Sequence, residues 1–307
     1  MWVESVPNFS NGTDRALLER LIRAARRSGA TVMGAEQDED HNRAVLSLAG
    51  SGEQVLDALM ATAEVAVREI DLRGQRGIHP RIGAIDVVPI IPLGDTPMTY
   101  AAQLADQLGN RLGQELGLPV FLYEHSATRP SRKNLADIRR GGFEGLARRM
   151  VHDVPDYGPS NPHPSAGAVA VGARWALVAF NCYLSTEDLE VARAIAQSVR
   201  QSSGGLVGIK ALGLYLARQR AVQVSMNLVD YPTTTLAEAL ERVRAEAGRR
   251  NVRVVRHELI GLMPLRVLFE AAERYLQLPG LGLDKVVELN LARSAIEQVM
   301  VPPPGEV

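Results

Sequence analysis

Apolar and polar positions alternate along this chain with two periods, and the switches between them outline its elements. Residues 2–7 read as a short strand. Over 14–27 the apolar residues Leu17, Leu18, Leu21, Ile22 and Ala25 recur at three- and four-residue spacing, which puts them on one face of a helix. Apolar-rich strands follow at 30–35 and 43–48, separated by the polar run EQDEDHN. A second helix is predicted over 53–70, opened by the Ser-Gly pair at Ser51, and a Val- and Ile-rich strand over 84–91, stopped by Pro92. That order is strand, helix, strand, strand, helix, strand, the split βαβ of a ferredoxin-like unit. A further helix at 99–116 and a strand at 118–123 extend it.

Between 151 and 165 the rhythm stops. VHDVPDYGPSNPHPS carries four prolines in fifteen residues, so neither regular helix nor central strand fits; the stretch is a linker or a rigid binding loop. Beyond it the same order restarts, with a strand at 175–183, a helix at 187–201, strands at 206–214 and 222–229, a helix at 236–249 and a strand at 252–259. Helices near 265–276 and 283–297 and a Pro-rich tail after Met300 follow. The halves share no residue-level self-similarity, so the repetition is architectural. The fold class expected is α+β, with two ferredoxin-like subdomains, 1–165 and 166–307, whose sheets enclose a ligand cleft or tunnel.

Composition narrows the function classes. Apolar residues make up 46% and charged residues 22% of the 307, the mix of a globular protein with a real core. A formal net charge of -1 argues against a nucleic-acid binder working through bulk basicity. Cys182, the single cysteine, lies in an apolar run and is expected to be a buried filler; alone it makes neither an internal disulfide nor a metal-site signal. The start lacks a basic, then apolar, leader, and no stretch approaches the roughly 20 apolar residues that cross a bilayer, so a cytoplasmic protein away from the membrane is expected.

Candidate chemistry is sparse. Of six histidines, only His79 lies in a stretch whose design resists a purely structural reading, RGQRGIHPRIGAIDVVP. Gly74, Gly77 and Gly83 open unusual backbone geometries, Pro80 biases His79 towards an extended conformation, and the loop feeds straight into a strand. Such a mount suits an acid–base imidazole, and it equally suits an ordinary loop histidine. The acidic cluster 35–43, with Glu36, Asp38, Glu39, Asp40 and His41, matches neither a zinc nor a calcium spacing, so no metal is expected and a solvated turn fits it. Arg129, Arg132, Lys133, Arg139, Arg140, Arg148 and Arg149 crowd one segment, either as an anion-binding patch or as a solvated helix face. Neither a phosphate-binding glycine loop nor a nucleophile elbow occurs.

Taken in order, the motifs resemble the formiminotransferase family. The likeness begins at ESVPNFSNG, runs through DHNRAV and peaks at GIHPRIGAIDVVPIIP. It continues through ELGLPVFLYE, RKNLADIRRGGFEGL and PDYGPSNPHPSAGAVAVGARWALVAFNCYLST to GIKALGL and VQVSMNLVDYPTT, covering most of positions 3 to 264. The resemblance implies a transferase that moves a formimino group from formiminoglutamate to tetrahydrofolate, with His79 catalytic, tetrahydrofolate as co-substrate and no tightly bound cofactor. It implies a folate-binding loop at Gly158, Pro159, Ser160, Asn161, Pro162, His163, Pro164, Ser165, Ala166 and Gly167, cleft positions at Glu36, Asn42 and Arg43, and a homodimer. Glu36 stands where an aspartate is usual, and Ala166 where some relatives carry an aromatic residue. Alternatives within the resemblance are an N-formylglutamate donor or a silent folate binder. The family's animal forms add a cyclodeaminase domain, and a stand-alone transferase is expected here.

Overall fold

The computed structural model describes residues 1–77, 80–217 and 219–291. The chain forms two compact units: Met1–Ala176 with Tyr215–Ala221 and Leu259–Leu262, and a second made of Leu177–Leu214, Val222–Glu258 and the segment from Met263.

In the first unit, β1 (Trp2–Ser5), β2 (Asn8–Phe9), α1 (Arg15–Arg27), β3 (Thr31–Asp38), β4 (Arg43–Ser51), α2 (Gly52–Glu69) and β5 (Ile85–Pro92) follow the predicted order. The helix starts are built into the sequence. Asp14 accepts a hydrogen bond from the Leu17 N–H at 3.0 Å, and Ser51 with Gln54 closes a reciprocal capping box. Strands β3, β4, β1–β2 and β5 lie side by side, all antiparallel, the arrangement of a ferredoxin-like sheet. After α3 (Met98–Glu115) the sheet grows beyond that pattern: β7 (Val169–Ala173) joins β5 in parallel, and β6 (Val120–Leu122) joins β7 in parallel, giving seven strands.

Alternation along the strands sends Val3, Leu46, Leu48, Val88 and Val171 into a core shared with Leu17, Leu21, Val55, Leu59 and Leu108 of the helices. At the β5–β7–β6 end a smaller core forms from Val87, Phe121, Tyr123 and Ala170 beneath Ile138 of α4 (Leu135–Ile138) and Leu146 and Met150 of α5 (Gly142–Met150). Those two short helices occupy the arginine-rich segment.

The second unit is built on β8 (Val178–Leu184), α6 (Leu189–Val199), β9 (Ile209–Leu216), β10 (Ala221–Leu228), α7 (Leu236–Gly248) and β11 (Val254–Ile260). Its sheet order, β11-β8-β10-β9, is again ferredoxin-like. Cys182 is buried within it, and burial pushes its thiol up to about 12, so it is inert packing. α8 (Leu265–Leu276) falls where apolar spacing placed it. Of the helix expected over 283–297, Leu283–Lys285 is a 3-10 turn and residues 287–291 are helical; the remainder, with the tail, lies outside the described residues.

Candidate functional site

The chemistry expected of this chain centres on the connection from α2 to β5. Its catalytic candidate, His79, lies outside the described residues, as does Ile78; what the structure describes is the frame on either side of them. At the entrance, the N–H of buried Leu72 donates to the Ser165 carbonyl at 2.9 Å. At the exit, the Ala84 N–H donates to Ala166 O and the Ala168 N–H to Ile82 O, both at 2.9 Å. Residues 165–168 therefore staple both ends of the connection. The contact admits glycine alone at two points. A Cβ on Gly83 would sit 1.9 Å from the Ala168 carbonyl oxygen, and one on Gly167, whose φ is +70°, would sit 2.1 Å from that of Ile82.

The β3–β4 turn holds the middle. Asn42, in left-handed backbone at φ 49°, accepts from the Gly12 N–H at 2.8 Å and donates its amide to the Arg76 carbonyl. Gln75 returns a bond to Asn42 O at 3.1 Å, and a Cβ on Gly77 would lie 2.6 Å from His41 O. Asn42 thus ties three segments together through one side chain and one carbonyl.

Charge surrounds the exit. Asp86 of β5 is 2% exposed; its Oδ1 accepts the Ile82 N–H at 2.7 Å and its Oδ2 pairs with Arg139. Arg81 donates to Gln75 O and to Glu144, each at 3.0 Å. Arg43 donates to Asn8 at 3.1 Å. Burial, then the like charge of Arg139, draw its guanidinium down to about 10 against Asp38, Asp86 and Glu36, so it stays charged at neutral pH. Glu36, on β3, accepts the Gly261 N–H at 2.9 and 3.0 Å. In the same turn, Asp38 pairs with His41 at 2.8 Å.

The proline-rich loop has an exposed tip on a buried root. Gly158, Pro159, Ser160, Asn161 and Pro164 are exposed, Pro162, His163 and Ser165 half-buried, and Ala166 and Gly167 buried. His163 and Gly167 exchange backbone bonds at 2.8 and 2.9 Å, and the Ala166 N–H donates to His163 Nδ1 at 3.0 Å. At the other end Gly158, φ +79°, takes the conformation and the close approach to Leu118 O, 2.1 Å from a notional Cβ, that a side chain would forbid. The first unit thus brings the Gly158–Gly167 loop, Asn42 and the flanks of His79 into one bonded network.

Profiles of known families decide what this network belongs to. The formiminotransferase domain, N-terminal subdomain, matches residues 2–174, and the formiminotransferase domain matches residues 179–301. The chain belongs to the formiminotransferase family. Among individual relatives, it is 40% identical over 291 residues to a glutamate formimidoyltransferase of Streptococcus pyogenes, covering 94% of this chain and 97% of that protein. A glutamate formimidoyltransferase of Thermoplasma acidophilum is 42% identical, over 95% of this chain and 98% of its own length. The formimidoyltransferase-cyclodeaminase of Rattus norvegicus is 38% identical over 89% of this chain, which spans 52% of that protein.

Sequence reasoning passed over Asp86 and Arg81 and named Arg139 only within the arginine-rich segment; all three shape the exit of the connection. The signal for Asp86 was present: an acid inside the otherwise apolar strand IDVVPIIP requires a buried partner. For the arginines no local signal separates structural from ligand-facing side chains. Arg132, 1% exposed, is spent on Asp153, Asp156 and the Val154 carbonyl, and Arg149 lies over the Phe121 ring at 4.7 Å. Arg132, Arg139 and Arg149 thus turn inward, whereas Arg129, Lys133, Arg140 and Arg148 are exposed.

Proposed function

We propose that this formiminotransferase transfers the formimino group of N-formimino-L-glutamate to tetrahydrofolate, giving 5-formiminotetrahydrofolate and glutamate. The observation that carries this reading is the end-to-end similarity to two glutamate formimidoyltransferases. In the proposed mechanism N5 of tetrahydrofolate attacks the formimino carbon while His79 takes the N5 proton. The tetrahedral intermediate then expels the glutamate nitrogen, which receives that proton back from the same imidazole. One carbon–nitrogen bond forms, one breaks, one proton is relayed, and nothing is oxidised. An imidazole shuttle of this kind contributes about 10²- to 10⁴-fold, and positioning of two substrates supplies much of the remainder.

The surroundings support the assignment. A connection tied at its entrance, middle and exit suits a residue that must meet two nitrogens in turn, and the charged Arg43 suits substrates that both carry carboxylates. The exposed tip of the Gly158–Gly167 loop is the proposed folate contact. Tetrahydrofolate enters as co-substrate. Among the described residues no helix is long and apolar enough to cross a membrane, which accords with the proposed cytoplasmic location. A homodimer, as the family resemblance implies, completes the reading.

A spectrophotometric assay with tetrahydrofolate and either formiminoglutamate or N-formylglutamate tests it. Turnover is expected with the first donor, and in His79→Ala it falls by about 10²-fold or more while folate affinity and melting temperature stay near wild type. Equal turnover in the variant removes His79 from the mechanism. Turnover with formylglutamate alone replaces the donor.

A further inference from the structure

The chain has one Asn-Gly dipeptide, Asn11–Gly12, and it lies between β2 and α1. Asparagine followed by glycine is prone to spontaneous ring closure, because no side chain hinders the glycine nitrogen. The reaction needs only water. Gly12 N attacks the side-chain carbonyl carbon of Asn11, the Cγ–Nδ2 bond breaks, and ammonia leaves with the peptide proton. Water then opens the five-membered imide at either carbonyl, giving aspartate or isoaspartate, and nothing is oxidised. Asn11 is primed for attack. Its Oδ1 accepts the Thr13 N–H at 3.1 Å and the Asp14 N–H at 2.9 Å, which draw electron density from the carbon concerned.

The nucleophile, by contrast, is engaged. Gly12 is buried, and its N–H donates to Asn42 Oδ1 at 2.8 Å. Ring closure must break that bond and remove the same proton. A bulkier residue cannot relieve the hazard. A Cβ at position 12 would lie 2.0 Å from the Asp38 carbonyl oxygen and 2.4 Å from Arg43 N. On the other side Ser10, 4% exposed, donates its N–H to Ala84 O at 2.9 Å and its hydroxyl to Gly83 O at 2.7 Å. An isoaspartate at position 11 would insert one extra backbone carbon between these two moorings.

We propose that Asn11–Gly12 is a deamidation site held shut by Asn42, and that isoaspartate formed there disables the enzyme. Disablement rests on the reading that Asn42 and the Gly83–Ala84 exit frame the reacting connection; the deamidation site itself stands without it. Asn42 then has a second task besides tying segments together. Its oxygen keeps a reactive backbone nitrogen occupied at a position that only glycine can fill.

Two substitutions isolate the bond. Asn42→Asp keeps an oxygen for the Gly12 N–H and loses the amide donated to Arg76 O, whereas Asn42→Gly loses both and keeps the positive φ. Each protein is incubated folded at neutral pH, and deamidation of Asn11 is followed by mass spectrometry of the tryptic peptide that ends at Arg15. Asn42→Gly is expected to deamidate about 10-fold faster than wild type, and Asn42→Asp at close to the wild-type rate. Equal rates in Asn42→Gly and wild type overturn the guard. So do equally raised rates in both variants, which would trace to a loosened turn rather than to the one bond. Should Asn42→Gly not fold, wild type and Asn42→Asp, each incubated folded and in urea, carry the test. Both are expected to react about 10-fold or more slowly when folded, and an unprotected Asn42→Asp overturns the guard. Turnover of aged wild type is expected to fall in step with its isoaspartate fraction, and full turnover at high isoaspartate overturns disablement. Fresh protein that transfers nothing defeats the proposed function alone, since the deamidation rates do not depend on turnover.

Discussion

Asn42 shows how much one side chain can organise. Its amide oxygen takes the Gly12 N–H, its amide nitrogen reaches Arg76 O, and its own carbonyl takes Gln75, all from a positive φ that asparagine tolerates better than most residues. Two substitutions separate these roles. Asn42→Gly keeps the backbone conformation and loses the side-chain bonds, whereas Asn42→Ala loses the bonds and adds strain. Both should lower turnover several-fold with little change in substrate affinity, since the bonds hold the segment that leads to His79. Asn42→Ala should in addition melt earlier than Asn42→Gly, by an amount reflecting about 1 kcal/mol of left-handed backbone cost. Identical melts would assign no strain to the position, and wild-type turnover in both would leave Asn42 a bystander to catalysis. The turn was legible as a cleft position only through resemblance. Nothing in the local run EQDEDHNR says that its asparagine faces the Gln75–Gly77 segment, because that contact joins residues more than thirty positions apart.

Among elements, legibility followed periodicity. Helices α1, α2, α3, α7 and α8 fell within a residue or two of their expected bounds, because each has a continuous apolar stripe and most have a capping residue. Strand β7 did not, since AVAVGA is built from alanine and glycine with a single strong strand pair; the expected strand at 175–183 instead took in the turn before β8. Helices α4 and α5 were hidden by the Gly141–Gly142 pair between them. The proline-rich stretch was legible as irregular but not as a staple, a role that depends on backbone groups of residues 165–168 and carries no side-chain signature. Its tip is where sequence still matters. Replacing Pro162 and Pro164 together by glycine should leave the root bonds intact, so the fold persists. The freed tip then pays more ordering entropy on binding, and tetrahydrofolate affinity should fall several-fold in a fluorescence titration. Affinity equal to wild type would make the loop a connector only.

At the scale of the whole molecule, two βαββαβ runs were readable and both sheets follow the ferredoxin-like order, yet the parallel addition of β7 and β6 to the first sheet was not readable. Local pattern states that a segment is a strand; which edge it joins depends on distant partners. Stability against acid is likewise a property of the ensemble of buried pairs. Glu246 on α7 is 4% exposed and meets Arg249 at 2.6 Å, Arg250 at 2.7 Å and Arg242 at 3.5 Å. The hydrogen bond from Arg250, chiefly, and the neighbouring charges hold its carboxyl below the ordinary 4.5. Glu238 is lowered too, mainly by the Thr235 N–H of its capping box, whereas burial raises Glu4 against the pull of Arg174. For a lowered carboxyl the unfolded chain binds the proton more tightly than the folded one. The stabilisation is therefore complete above 4.5 and drains away as pH falls through the lower folded value; Glu4 contributes with the opposite sign. Glu246→Gln removes the charge and leaves three guanidinium groups around a neutral amide. Urea melts should find the variant less stable than wild type at pH 7, with the gap closing as pH drops below 4.5, because wild type alone loses the Glu246 contribution there. A gap that stays constant from pH 7 to acid would show that Glu246 acts through packing, and the charge argument for α7 would fall.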